Sequence, residues 1–170
     1  MSEKERVFSY RPIGVIRSPF REPAGMPIQP GGARGVPGWV EVFEEYRTGL
    51  ADLDGFSRII LLYPFHRSSG YSLMVTPFLD TCPRGLFSTR APRRPNALGL
   101  SIVRLTGVKD GELTIGDVDI LDGTPLLDIK PYVPAFDSYP DERSGWLEGC
   151  DGKVSSARSD DRFLDRRDDP

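Results

Sequence analysis

The sequence predicts a mainly β protein, folded as one compact single-domain β-barrel of short, mostly antiparallel strands with one or two short helices. Sixteen prolines and eighteen glycines are spread through 170 residues. They leave little room for long helices, because proline removes a backbone donor and glycine weakens a regular element. Short runs with strand periodicity recur between turn residues, which is typical of a small barrel or sandwich.

Three strands are predicted in the first half of the chain. PIGVIRSPF, residues 12–20, alternates in its side chains and stops at Pro19. GWVEVFEEY, residues 38–46, places Val40 and Val42 on one face. FSRIILLYPFH, residues 56–66, is apolar almost throughout, which predicts a central strand covered on both faces.

One helix and one hairpin complete the predicted elements. Tyr46, Leu50 and Leu53 recur at helical spacing, which predicts a short amphipathic helix that ends near Gly55. Later, Asp110-Gly111 separates two β-rich runs and predicts a tight hairpin. The apolar phase slips after residue 115, so we expect a β-bulge near Gly116-Asp117.

Composition narrows the class of protein. No apolar run approaches the roughly 18–20 residues that span a bilayer, and no secretory signal is evident, so the cytoplasm is the expected compartment. Cys82 and Cys150 follow no metal-ligand spacing and are expected as reduced thiols. Because His66 is the only histidine, no metal site is expected. We expect an N-terminal extension at 1–9, the barrel at 10–140, and a polar, mobile tail at 141–170.

The charge distribution indicates a local cationic patch. The net charge is −3, which argues against binding nucleic acid through overall positive potential. Residues 81–109, however, contain no Asp or Glu and six cationic side chains. Such a patch can attract phosphate groups even on an acidic protein.

Within that patch, FSTRAPRRPNALGLS, residues 87–101, carries Arg90, Arg93 and Arg94 on a chain that cannot form a helix. Two prolines keep the segment extended, so its guanidinium groups point in fixed directions and can bind carboxylates or phosphates through paired hydrogen bonds. The alternative is that these arginines are ordinary solvated charges.

Two further segments could carry chemistry. In ILDGTPLLDIKPYVPAFD, residues 120–137, the turn at Asp122 is expected to expose backbone amides to a ligand. Asp128 and Lys130 follow; Asp128 could equally pair with a nearby arginine, and Lys130 could simply face water. In PFHRSSGYS, residues 64–72, His66 could serve as a base, although a structural role is the commoner one. No Ser-His-Asp or Cys-His arrangement can be assembled, and no phosphate-binding glycine loop is present.

Together, FSTRAPRRPNALGLS, LDGTPLLDIKPYVPAFD and the FHR that follows an apolar strand resemble the TsaA-like family, also called TrmO, over residues 10–137. Members include S-adenosylmethionine-dependent methyltransferases that act on the N6 nitrogen of threonylcarbamoyl-adenosine beside the anticodon of tRNA. The resemblance implies a β-barrel that works as a homodimer, with ligand sites near the subunit boundary. The chain departs from common family patterns at Ser88, Ala91, Ala97 and Leu98, and its tail is too short for the additional C-terminal domain of some members.

The resemblance also implies site residues. S-adenosylmethionine is held in the family by segments that match the following residues here: Pro27, Ile28, Gln29, His66, Arg67, Arg90, Leu100, Leu121, Asp122, Gly123 and Thr124.

For the acceptor, an exposed anticodon loop is expected to be read by stacking and edge contacts. Arg93, Arg94 and Lys130 are candidates for phosphate contacts, and Tyr132 and Tyr63 are candidates for stacking. Asp128 or His66 would accept a proton. Two alternatives stay open: a non-catalytic module that binds S-adenosylmethionine, and an RNA-binding barrel without a small-molecule ligand.

Overall fold

A nearly closed antiparallel barrel forms most of the computed structural model, which describes residues 6–148, 150 and 157–163. Its strands follow the order β8-β1-β2-β7-β6-β3-β9, and a separate hairpin pairs β4 with β5. The strands of the described residues are β1 (Gly14–Arg17), β2 (Pro37–Val42), β3 (Arg58–Pro64), β4 (Met74–Val75), β5 (Arg84–Gly85), β6 (Leu98–Lys109), β7 (Glu112–Gly116), β8 (Thr124–Leu126) and β9 (Asp128–Pro131).

The barrel closes because β8 and β9 are successive parts of one extended stretch. β8 pairs with β1, and β9 pairs with β3 at the opposite end of the strand order. Between them, the N–H of Leu127 donates to the carbonyl of Leu62 at 2.8 Å. The mainly β, antiparallel barrel predicted from the sequence is confirmed.

Helical structure is limited to short pieces. The one described α-helix is α1 (Pro134–Asp137), and the other described helical segments are 3-10 helices. The predicted amphipathic helix forms instead as two 3-10 helices, Glu44–Leu50 and Leu53–Gly55. Asp52 separates them with a φ of 63°, a left-handed conformation that interrupts a continuous helix. No helix among the residues placed by the structure is long and apolar enough to cross a membrane.

The core lies inside the barrel and is built by alternation along each strand. On β3, Ile59, Leu61 and Tyr63 are buried. Ile60 and Leu62 point outward and are only partly buried. The prediction that β3 is covered on both faces is therefore wrong for full burial, because the barrel core lies on its inner side and the outer side chains are covered only in part.

The predicted hairpin at Asp110-Gly111 joins β6 to β7. Both turn residues have positive φ, 51° and 86°, as a tight primed turn requires. The expected bulge near Gly116-Asp117 lies elsewhere, since the register shifts between Leu105 and Gly107 on β6. The phase slip after β7 comes instead from Asp117, whose φ is 62°.

Asp117 is the centre of a buried ion-pair cluster at the end of β7. Its carboxylate accepts from Arg58 at 3.0 Å, from Arg104 at 3.3 Å and from the Gly35 N–H at 3.0 Å. Burial opposes ionisation, but the hydrogen bonds from Gly35 and Arg58 and the charge of Arg104 hold the pKa of Asp117 below its ordinary value. The cluster ties β3, β6 and the loop before β2 to one carboxylate.

Parts of the segment expected to be a mobile tail contact the region between β3 and β6. Trp146 donates from Nε1 to the carbonyl of Ser88 at 2.8 Å. Phe163 packs with Val75, Leu86 and Ala91 in a second, smaller hydrophobic cluster. These aromatic side chains provide apolar anchors that the polar composition of the tail concealed. Residues 1–5 of the expected N-terminal extension, and residues 149, 151–156 and 164–170 of the tail, lie outside the described part of the chain.

Candidate functional site

Two loops far apart in sequence meet at Gln29 and Arg90. Arg90 lies on the exposed loop that precedes β6, and Gln29 lies directly before the 3-10 helix Pro30–Gly32. Arg90 donates from Nη1 to Oε1 of Gln29 at 2.8 Å. The pair joins two of the segments that the family resemblance implies for donor binding.

The turn at 121–124 is fixed against β1 and the loop that follows it. The N–H of Asp122 donates to the carbonyl of Phe20 at 2.7 Å, and the N–H of Gly123 donates to the carbonyl of Ile16 at 2.9 Å. Thr124 donates from Oγ1 to the carbonyl of Leu121 at 2.7 Å. The expectation that this turn offers free amides to a ligand is wrong at Asp122 and Gly123, because both amides are used within the protein.

Gly123 nevertheless leaves room beside the turn. Its φ of 74° lies in the left-handed region, which favours glycine, and no atom lies within 4 Å of the position that a Cβ would occupy. A flat group can therefore approach the backbone at this point. At Asp122 and Gly123 the turn therefore offers an open backbone surface rather than free amide donors.

His66 and Arg67 lie just after β3 and are both exposed. Arg67 donates from Nη1 to the carbonyl of Arg21 at 3.1 Å, next to the Phe20 carbonyl that holds Asp122. The neighbouring protein partly desolvates the imidazole, which lowers the pKa of His66, and the charge of Arg67 lowers it further. Residues 20–21 thus bring this pair and the 121–124 turn to the same neighbourhood.

Leu100 lies on the outer face of the barrel, in one cross-strand row with Leu62 and Asp128. The next row contains Ile102, Ile60 and Lys130 in register. Lys130 contacts Asp128 through Nζ and Oδ2 at 2.7 Å. Asp128 is therefore an ion-pair partner, but of Lys130 rather than of the arginine that we considered.

The remaining candidates for RNA contacts differ in the contacts that they make within the protein. Arg94 donates from Nη1 to the carbonyls of Thr89 and Ala91, at 2.9 and 3.3 Å, and its guanidinium lies 5.8 Å from the Phe87 ring centroid. Arg93 lines a cavity of about 360 Å³. Tyr132, next to β9, is partly buried.

A buried polar chain that sequence reasoning missed lies behind Arg90. Tyr63 Oη and Ser101 Oγ are 2.8 Å apart, and Ser101 donates to Oδ1 of Asp119 at 2.7 Å. Tyr63 is 5% exposed, so the expectation that it stacks on RNA is wrong. The sequence signal for these buried polar side chains was Asp119, a carboxylate placed between the apolar residues Val118 and Ile120.

Burial raises the pKa of Asp119 to about 6, against the hydrogen bond from Ser101 and the charge of Arg90, which both lower it. Burial and the nearby Asp119 charge also raise the pKa of Tyr63. The hydrogen-bonded side chains of Tyr63, Ser101 and Asp119 therefore place one negative charge, on Asp119, close enough to Arg90 for electrostatic coupling. The Ser101–Asp119 hydrogen bond also connects β6, which carries Leu100, to the residues just before the 121–124 turn.

The site contains no grouping suited to a metal: within 6–148, 150 and 157–163, no three His, Cys, Asp or Glu side chains lie together as ligands. Separate features of these segments could each hold part of a ligand that carries a carboxylate and a flat ring. The exposed guanidinium of Arg90 can bind the carboxylate, and the open space at Gly123 can admit the ring. The apolar side chain of Leu100, 47% exposed, can contact the ring face.

Comparison with known proteins identifies relatives of this chain. A probable S-adenosyl-L-methionine-binding protein of Pyrococcus abyssi is 54% identical over 155 residues, which is 91% of this chain and 84% of that protein. The tRNA (adenine(37)-N6)-methyltransferase of Escherichia coli is 36% identical over 153 residues, covering 84% of this chain and 65% of the enzyme. The chain thus spans less than two thirds of the bacterial enzyme's length.

Solved structures and the family model give the same result. The crystal structure of TrmO from Pseudomonas aeruginosa superposes with a TM-score of 0.70 at 40% identity, covering 83% of this chain and 63% of that one. The model of the tRNA-methyltransferase O N-terminal domain matches residues 15–138. This range includes every segment of the candidate site described above. The chain therefore belongs to the family of the tRNA-methyltransferase O N-terminal domain.

Proposed function

We propose that this protein is an S-adenosylmethionine-dependent tRNA methyltransferase that acts on the N6 nitrogen of adenosine beside the anticodon, with threonylcarbamoyl-adenosine as the acceptor. The observation that carries the proposal is the contact between Gln29 and Arg90, because it joins two of the segments that the family resemblance assigns to the donor. The relatives in Escherichia coli and mouse are both named tRNA (adenine(37)-N6)-methyltransferase.

The donor would lie between the two loops and the 121–124 turn. Pro27, Ile28 and Gln29 form one wall, and Arg90 supplies a charged donor for the carboxylate. Gly123 and Leu100 border the ring, while His66 and Arg67 complete the opposite wall. S-adenosylmethionine, when bound, supplies an electrophilic methyl group on a sulfonium. Catalysis by this chain then consists mainly of positioning, because displacement at that carbon requires the acceptor nitrogen at about 3–3.5 Å and in line.

Of the two candidate proton acceptors, His66 fits better than Asp128. The lowered pKa of His66 keeps its imidazole neutral at pH 7, with a nitrogen lone pair available. Asp128 has Oδ2 occupied by the Lys130 ammonium at 2.7 Å, and Oδ1 accepts from the Ile129 N–H at 2.9 Å. We therefore assign proton acceptance to His66 and a supporting ion pair to Asp128.

The RNA would approach across the arginine loop and the end of β9. Arg93 and Lys130 are assigned to phosphate contacts, and the partly buried Tyr132 provides an aromatic edge for stacking. Arg94 has Nη1 committed to Thr89 and Ala91, so its phosphate contact is assigned to its other donors. The anticodon loop is single-stranded, which suits a short extended strip of cations better than a duplex groove.

We also propose that the protein works as a homodimer in the cytoplasm, where its tRNA substrate resides. Ile60, Leu62, Leu98, Leu100 and Ile102 form an apolar patch on the outer face of β3 and β6. Leu98 is 51% exposed although it is a strand residue. A second copy on this patch would bury apolar surface and place Leu100 at the subunit boundary.

The test is mass spectrometry of nucleosides from tRNA incubated with the protein and S-adenosylmethionine. Two tRNA pools, with and without the threonylcarbamoyl group, separate the acceptor requirement from activity. A gain of one methyl mass on the modified adenosine, absent with Arg90→Ala, supports the proposal. Heat of donor binding without any methylated product would favour the second candidate, a binding module, which the names of the archaeal relatives also describe.

A further inference from the structure

Residues 157–163, which we call the C-terminal clasp, pair with the loop that precedes Gln29. Arg158 forms an antiparallel bridge with Pro27. Ser159 donates its N–H to the carbonyl of Met26 at 2.9 Å, and its carbonyl accepts from the N–H of Gly25 at 2.9 Å. The Ser159 hydroxyl accepts from the N–H of Met26 at 2.9 Å and donates to the carbonyl of Pro23.

The other end of the clasp is anchored beside Arg90. Phe163 packs in the cluster of Val75, Leu86 and Ala91, and Ala91 is the residue next to Arg90. The Phe163 ring meets Phe78 edge to face, with 5.0 Å between ring centroids. Arg162 secures the anchor with donor contacts to the carbonyls of Thr76 and Pro77, at 3.2 and 2.7 Å.

We propose that the C-terminal clasp is part of the donor site because it holds the Gln29 loop and the Arg90 loop at a fixed separation. Ser159 forms hydrogen bonds with the Gln29 loop, and Phe163 packs against the Arg90 loop. Three residues separate Ser159 from Phe163 along the chain. This inference rests on the proposed function in one respect, the identity of the donor. The positioning residues it assigns are Ser159 and Phe163, neither of which touches the donor itself.

The physical reason is pre-organisation. The loop from Pro23 to Gln29 contains Gly25, with a φ of 77°, and no described strand or helix. Without the clasp, its amides at Gly25 and Met26 lose their acceptors, and the loop can take up many conformations. A donor that binds one conformation has its apparent affinity reduced by the fraction of molecules that hold that conformation.

Hydrogen exchange in the ligand-free protein tests the first half of the proposal. We expect Ser159→Ala to accelerate exchange in peptides that contain Gly25 and Met26, and Phe163→Ala to accelerate it by about tenfold or more. Peptides from β3 serve as the internal reference and should not change. Exposed Ser138→Ala and Phe136→Ala are the matched controls. Exchange at Gly25 and Met26 equal to wild type in both clasp variants would overturn the proposal.

Calorimetry with S-adenosylmethionine tests the second half. We expect the donor Kd to rise about tenfold for Phe163→Ala and about threefold for Ser159→Ala, with both controls unchanged. The Tm of Ser159→Ala should stay near that of wild type, which separates positioning from general instability. If Phe163→Ala does not fold, the Ser159→Ala result decides.

The outcomes distinguish the two levels of the proposal. Wild-type protein that binds no S-adenosylmethionine overturns the proposed function, and the donor role of the clasp with it. Wild-type binding with equally tight binding by both clasp variants overturns the clasp alone and leaves the proposed function standing.

Discussion

Arg90 and Gln29 are joined by a hydrogen bond of 2.8 Å across 61 positions of sequence. The bond is formed on the exposed side of the molecule and leaves the arginine accessible to solvent. A guanidinium oriented by a neutral amide keeps its full charge for a ligand, whereas a carboxylate partner would neutralise it. In the proposed donor site, this bond would fix the direction of the Arg90 guanidinium.

Arg90→Ala is expected to weaken donor binding by about 1.5–3 kcal/mol, as for loss of a hydrogen bond to a charged group. Calorimetry with S-adenosylmethionine measures the change. Gln29→Ala removes the orienting bond but keeps the charge, so we expect a smaller loss. Arg143→Ala, an exposed arginine far along the chain, is the control. An unchanged Kd for Arg90→Ala would remove this residue from the site.

His66→Gln should lower kcat at saturating donor more than Asp128→Asn does, because His66 is the proposed proton acceptor. The lowered pKa of His66 means that wild-type activity rises with pH below the ordinary histidine range and is level by pH 7. The rise should be absent in His66→Gln. A wild-type profile that keeps rising through pH 8, or equal losses in both variants, would contradict the assignment.

Asp117→Asn should lower the free energy of unfolding by about 1–2 kcal/mol, since it removes the charge that Arg58 and Arg104 share while both partners are partly solvated. Urea denaturation at pH 7 measures the loss. Asparagine tolerates the left-handed backbone, so strain is not introduced. Asp52→Asn, at an exposed position with a φ of 63°, controls for the backbone and should be near neutral.

The effect of Asp117 should also depend on pH. Its pKa is lowered in the folded state, so the stabilisation is present above the ordinary carboxyl pKa and is lost as the pH falls through the folded value. The difference between wild type and Asp117→Asn is therefore expected to shrink in acid. A constant difference down to pH 2 would show that the carboxylate charge is not its source.

The pH dependence of stability expected from Asp119 runs in the opposite direction to that from Asp117. Its pKa is raised from 3.8 to about 6, so the folded state favours the protonated carboxyl, and stability is lost as the pH rises through this interval. Asp119→Asn lacks this titration and keeps an acceptor for Ser101. Between pH 4 and pH 7, its free energy of unfolding should gain roughly 2–3 kcal/mol relative to wild type. Parallel pH curves for the two proteins would show that Asp119 titrates normally.

Leu98→Glu should convert a dimer to a monomer if the outer patch of β3 and β6 is the subunit interface. Leu98 is half exposed, so the substitution leaves the barrel core intact. Light scattering after size exclusion gives the mass directly. Leu73→Glu, at a position 58% exposed outside the patch, should stay dimeric. Wild-type protein that is monomeric at micromolar concentration would end the homodimer proposal.

The sequence by itself determined the features that depend on local chemistry. Asp110-Gly111 fixes a tight hairpin because its two residues tolerate positive φ. Scattered proline and glycine exclude long helices, and alternating apolar residues on β2 and β7 assign one face to the core. The turn at Gly123 was also predictable, because glycine tolerates the positive φ that the backbone adopts there.

Tertiary structure alone decided the features that depend on which distant groups meet. Nothing near Asp122 or Gly123 in sequence shows that their amides donate to Phe20 and Ile16, since those acceptors come from β1 and the loop after it, about a hundred residues away. Nor does the strand Arg58–Pro64 reveal that only one of its faces is buried, because a continuous apolar run fits both a covered strand and one with an outward apolar patch. The clasp was hidden for the same reason: Ser159 and Phe163 lie in a polar tail whose local composition predicts mobility. Only long-range burial and backbone pairing, which a local pattern cannot encode, hold them against the Gln29 and Arg90 loops.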